Sequence, residues 1–138
     1  VATATSITLA ADTISVINYT GAAAATCTLP AATAGTVVVY AQAVDTTGGT
    51  AVLTFDAAGS DVWATGSVIE SRGSSEVTFD TSAANETKLT FTPANATTNL
   101  LTVGGQIAFI CYETGTWHIA TSLARETTQV TGVFAFAA

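Results

Sequence analysis

The phrase Leu53-Thr54-Phe55-Asp56 returns as Val77-Thr78-Phe79-Asp80 and again as Leu89-Thr90-Phe91-Thr92, at spacings of twenty-four and twelve residues. In an extended chain successive side chains alternate between faces, so each phrase sends an aliphatic residue and a phenylalanine to one side and a threonine to the other. Twelve residues hold one strand and one turn and are too few for a repeat containing a helix, so the spacing predicts the rhythm of a β-sandwich or barrel. The three phenylalanines are read as core, with Glu76, Thr78, Lys88 and Thr90 facing outward.

Residues 26–63 form the stretch around which the rest is arranged. Ala25, Cys27 and Leu29 share one side of a strand that Pro30 ends by removing a backbone donor and fixing its own φ, and Ala34-Gly35 lets the chain turn. Residues 36–44 then place Val38, Tyr40 and Val44 opposite Val37, Val39, Ala41 and Ala43. Both faces are apolar, whereas a sheet with one wet face shows polar alternation, so this strand is expected to be covered twice. The second cover is either a long loop of the same chain or a neighbouring subunit. After Gly48-Gly49 the chain returns through 51–55, and the three strands are expected to pair in order as a meander.

Ser6 to Leu9 and Ile14 to Tyr19 read as two short strands separated by Ala10-Ala11-Asp12. The first 25 residues are otherwise Ala and Thr with little to pack, which suits an arm that orders on a partner. A further strand is expected over 67–71 and a short one over 99–103. Residues 106–112 and 116–122 form a hairpin closed by Glu113-Thr114-Gly115, where Tyr112 and Trp117 are placed to pair across the strands. The end of the chain, 130–138, is uncharged and carries Phe134 and Phe136 on one face, so it must be buried, either as the last strand of the sheet or as a strand added to a neighbour's edge.

No capping residue precedes an apolar run at helical period, and the alanine stretches are broken by threonine. The expected fold is all-β: an antiparallel β-sandwich, jelly-roll-like, of about ten short strands. Residues 1–25 supply an N-terminal arm and the first strands, and 26–138 a single sandwich domain, in keeping with a length of 138 residues.

Charge constrains function. Only 9% of the residues are charged, against roughly 25% in an ordinary globular domain. A surface so poor in ions is weakly protected against association, which points to an assembly component covered by partners. The net charge of -7, with Arg72, Lys88 and Arg125 as the only cations, argues against nucleic-acid or anionic-membrane binding. No apolar run reaches the length of a membrane-spanning helix, and 1–9 show no basic region followed by an apolar one.

Chemistry-bearing residues are sparse. Cys27 and Cys111 sit inside strands on apolar faces and read as two buried thiols rather than a disulfide. His118, the single histidine, has no second histidine or cysteine pair at ligand spacing and reads as a surface or interface residue. Asp56 and Asp61 flank a turn without the ligand density of a calcium loop. They are also the only close pair of acids, and a carboxylate-pair hydrolase needs two acids converging in a cleft. No catalytic, metal or cofactor residue is therefore expected. The Asn-x-Thr triplets at Asn18, Asn85 and Asn95 carry no weight in a chain so rich in threonine.

The strand ending Thr28-Leu29-Pro30-Ala31-Ala32 and resumed through Ala34-Gly35 leads into Val52-Leu53-Thr54-Phe55-Asp56, and 105–119 form the closing hairpin. In these features the chain resembles small structural proteins of tailed-bacteriophage virions, above all head decoration, or cement, proteins. The resemblance covers about residues 26–122 and rests on short motifs. It implies homotrimers or similar oligomers on the outer surface of the capsid, bridging neighbouring major capsid protein subunits without enzymatic activity. Val133, Phe134 and Phe136 are the expected contact residues, with Tyr112 and Trp117 a second pair. The same phrases occur in tail-fibre and receptor-binding modules, for which Trp63, Tyr112 and Trp117 would stack on host glycans.

Overall fold

The computed structural model describes residues 5–46, 51–72, 77–92, 103–125 and 134–138. Twelve strands are found among them: β1 (Ser6–Thr8), β2 (Thr13–Ile17), β3 (Ala25–Thr28), β4 (Val37–Gln42), β5 (Leu53–Asp56), β6 (Val62–Trp63), β7 (Val68–Arg72), β8 (Val77–Thr81), β9 (Lys88–Phe91), β10 (Gln106–Glu113), β11 (Thr116–Arg125) and β12 (Phe134–Ala137). The fold is all-β, as the alternation predicts. The strands make a five-stranded sheet ordered β1-β3-β5-β9-β12 and a seven-stranded sheet ordered β2-β4-β10-β11-β7-β8, with β6 beside β11.

Pairing departs from the antiparallel expectation. Among the described residues β1/β3, β3/β5, β2/β4, β6/β11 and β7/β11 are parallel. Parallel neighbours need a crossover between them, and for β1/β3, β2/β4 and β3/β5 that crossover is a strand in the opposite sheet. The chain runs β1 to β5 by stepping from one sheet to the other at every strand, so the N-terminal half is a flattened coil rather than a chain of hairpins or the antiparallel Greek keys of a jelly roll. The expected meander over 26–63 is accordingly overturned. β3 pairs with β5, while β4 lies between β2 and β10.

Loop chemistry explains the correction. The segment between β3 and β4 crosses the sandwich, and its backbone groups bond the β10–β11 hairpin. Gly35 N–H donates to Cys111 O at 2.8 Å, Cys111 N–H to Thr36 O at 2.9 Å and Gly115 N–H to Ala32 O at 2.9 Å. Asp61 Oδ2 accepts Ala32 N–H at 2.7 Å. With its polar groups satisfied there, this loop has no need of a hairpin with the preceding strand.

The first and third copies of the repeated phrase behave as read, while the side chains of 77–79 in the second lie outside the described residues. β5 and β9 pair antiparallel with Leu53 opposite Phe91 and Phe55 opposite Leu89, and all four side chains are fully buried. Burying each contributes on the order of 1.5–3 kcal/mol. Rings link the sheets: Phe55 meets Tyr40 at 4.9 Å and Phe109 at 5.3 Å, and Trp63, packed at 5.5 Å on Phe109 of its own sheet, meets Phe136 at 5.8 Å. Offset and edge-on contacts of this kind add to area burial. Cys27 and Cys111 are free, buried thiols within this core.

Residues 5–25 belong to the sandwich, because β1 and β2 end the two sheets and Leu9, Ile17 and Tyr19 are core residues. The Gly48-Gly49 reversal, the strand expected over 99–103 as far as 102, and Val133 lie outside the described residues.

Candidate binding surface

The hairpin β10–β11 turns through Thr114-Gly115, where Gly115 holds φ 89, a left-handed value that suits glycine. β10 pairs with β4 on its other side, and β4 with β2. Register fixes which residues share a face. Val38, Tyr40, Ile107 and Phe109 are buried against the five-stranded sheet. Their neighbours in sequence therefore form the outer face, in rows across the sheet: Ile14 beside Val39 beside Ala108, Val37 beside Ile110 beside His118, and Val16 beside Ala41.

This outer face is apolar and solvent-facing. Ile14 is 65% exposed, Val16 41% and Tyr112 67%, while Val37, Val39, Ala108, Ile110 and His118 are half-buried. Thr13–Ile17, Val37–Gln42 and residues 106–112 contain no Asp, Glu, Lys or Arg. The doubly apolar β4 buries one face in the core, and its other face, half-buried at Val37 and Val39, lies within this uncharged sheet surface. A contiguous apolar face rimmed by polar residues marks an interaction surface.

A register shift shapes its rim. β10 and β11 slip between Ile110 and Glu113, so that Ile110 opposes His118 and Glu113 opposes Thr116. The shift separates Tyr112 from Trp117, which the hairpin alone would set opposite each other. Tyr112 packs edge-on against His118 with centroids 4.9 Å apart, and Trp117 goes into the core. Two further expected contact residues also lie inside. Phe134 and Phe136 are buried, their rings against Phe91 and Trp63. β12 is a strand of this chain's own sheet, paired with β9, so folding itself accounts for the apolar C-terminal end. Trp63 is likewise buried, which closes two of the three suggested sugar-stacking aromatics off from solvent.

The acids have structural partners. Asp12 Oδ1 accepts Val37 N–H at 3.1 Å, Asp45 Oδ1 accepts Val103 N–H at 2.8 Å, Asp80 Oδ2 accepts Phe136 N–H at 2.8 Å and Glu86 Oε2 accepts Ala83 N–H at 2.6 Å. With Asp61, these carboxylates satisfy backbone donors at loops and strand ends. Among the described residues no group of three His, Cys, Asp or Glu is placed to hold a metal.

Buried polar groups sit at one end of the sandwich. Gln42 Nε2 donates to Tyr19 O and Val44 O, both at 2.7 Å, and its Oε1 accepts the Tyr40 hydroxyl. The Tyr19 hydroxyl donates to Ala51 O. Burial pushes the Tyr19 phenol and the Cys27 thiol up to about 12, and raises Tyr40 further. These groups stay protonated at neutral pH, so this network acts as structural support. A nearby recess of about 130 Å³, lined by Ile17, Asn18, Thr20 and Ala22 among others, contains no acid, base or thiol. The uncharged sheet face is thus the candidate surface, and its side chains suit apolar contact.

Comparison with protein-family models, with curated proteins and with solved structures finds no match to this chain.

Proposed function

We propose that this chain is a non-enzymatic structural protein of a bacteriophage virion, which decorates the outside of the capsid and stabilises it by bridging major capsid protein subunits. The observation that carries the reading is the outer face formed by residues 13–17, 37–42 and 106–112, where Ile14, Val39, Ile110 and Tyr112 lie in segments without a formal charge. Docking such a face sheds apolar surface at little cost in ion desolvation, and aromatic and aliphatic anchors supply most of the energy of a protein contact. A clamp repeated over a shell gains through multivalency: modest contacts made at both ends of a bridge resist separation more than either would alone. The resemblance of 28–35, 52–56 and 105–119 to virion proteins supports the particular setting.

Quantitative mass spectrometry of purified virions tests the reading. The expected result is a fixed, simple ratio of this chain to the major capsid protein. A handful of copies per particle would contradict capsid decoration and favour a tail-fibre or receptor-binding module.

A further inference from the structure

The sandwich has four sheet edges, and they are treated differently. On one side β8 and β12 approach each other, joined by the Asp80 bond to Phe136 N–H. On the other side β1 and β2, connected by a short turn, end the two sheets. β1 is only three residues long, which blunts an edge. Among the described residues β2 has no such guard. Its five residues run in unbroken register along β4 and include no Lys, Asp, Glu or Pro. It is flanked by the exposed Asp12 and by Asn18, and beyond them Ala10, Ala11 and Ala22 to Ala24 are small and exposed. A flat, uncharged, apolar edge of this kind is a template for another strand.

We infer that the strand it takes is β2 of a second copy, antiparallel about a two-fold axis through Ser15. That register sets Ile14 against Val16 in both directions and Thr13 against Ile17, so an aliphatic pair forms twice on the outer face. It also sets Asp12 against Asn18, keeping the carboxylates of two acidic chains apart, as like charges directly opposite destabilise a strand pair. A two-fold normal to the sheet leaves both outer faces on the same side, so the uncharged surfaces of the two copies merge into one continuous face across the joined sheets. Other positions for the axis lose this match. An axis through Ile14 pairs Asp12 with Val16, and one through Val16 pairs Ile14 with Asn18.

The contact lies at the edge, apart from the centre of the proposed capsid-binding face, and the purified chain tests it without any capsid. Sedimentation equilibrium should give a dimer at about 100 μM that Ile14→Lys and Val16→Lys weaken about 100-fold, two charges being placed in a desolvated pair. Both positions are exposed in the single chain, so unchanged thermal unfolding at low concentration shows that the fold is kept. Ser15→Cys should form an intermolecular disulfide under mild oxidation, because residues opposed on a two-fold antiparallel pair lie about 4.5–5.5 Å apart. Thr8→Cys should not, and the native thiols are buried. A wild-type monomer at that concentration, or an oligomer indifferent to both lysines and uncrosslinked by Ser15→Cys, overturns the inference.

Discussion

Asp80 on β8 accepts the backbone N–H of Phe136 on β12 at 2.8 Å, so the outermost strands of the two sheets are tied together by one carboxylate. Phe136 reaches Trp63 from the opposite sheet, and the bond holds the strand that carries it. Removing the acceptor strands a backbone donor at a partly buried edge.

Asp80→Ala should therefore lower stability by about 1–2 kcal/mol, and Asp80→Asn, which keeps an acceptor oxygen, by clearly less. Urea unfolding of the three proteins measures this. Equal losses for both variants would show that the bond contributes nothing.

The repeated phrase makes a second prediction, because its two kinds of position should respond differently. Phe55→Ala removes a ring fully buried between Tyr40 and Phe109 and should cost about 3–5 kcal/mol. Thr54→Ala, facing outward one residue away, should cost about 0.5 kcal/mol or less. Comparable losses would mean the faces are assigned the wrong way round.

How far these features were legible depends on the range of the interaction behind them. The all-β class, the faces of 53–56 and 89–91 and the 106–122 hairpin follow from alternation and turn chemistry, which are local. Alternation tells which side of a strand is apolar but not which strand lies beside it, so the parallel pairing of β3 with β5 could not be read from 26–63. The same limit hid the outer face. Val37 and Val39 were recognisable as a second apolar side of β4, but their continuation onto Ile14 and Ile110 depends on ladders joining residues far apart in sequence. Tyr112 and Trp117 parted because of a register shift, which leaves no mark in composition. Phe134 and Phe136 had two homes open to them, and the register of β12 on β9 chooses the inner one.

Alkaline pH supplies a further test. The Cys27 thiol, ordinarily near 9, and the Tyr19 phenol, ordinarily near 10, are both pushed up to about 12 by burial. The folded chain holds these protons more tightly than the unfolded one. Their contribution is therefore whole below about pH 9 and is lost as pH rises towards 12, with a limiting slope of about 1.4 kcal/mol per pH unit for each group. Urea midpoints should be level between about pH 7 and pH 8.5 and then fall. In Tyr19→Phe the fall should be shallower, and an unchanged slope would remove Tyr19 from this role.

The proposed function makes the uncharged outer face of β2, β4 and residues 106–112 the surface that adheres to other proteins. Its most direct measurement is binding of the purified chain to capsid shells stripped of it, comparing wild type with Ile110→Glu and Tyr112→Asp at matched thermal stability. Each variant should bind about 100-fold more weakly, as expected when a charge enters the middle or the rim of a dry contact. Wild-type affinity in both variants would contradict it.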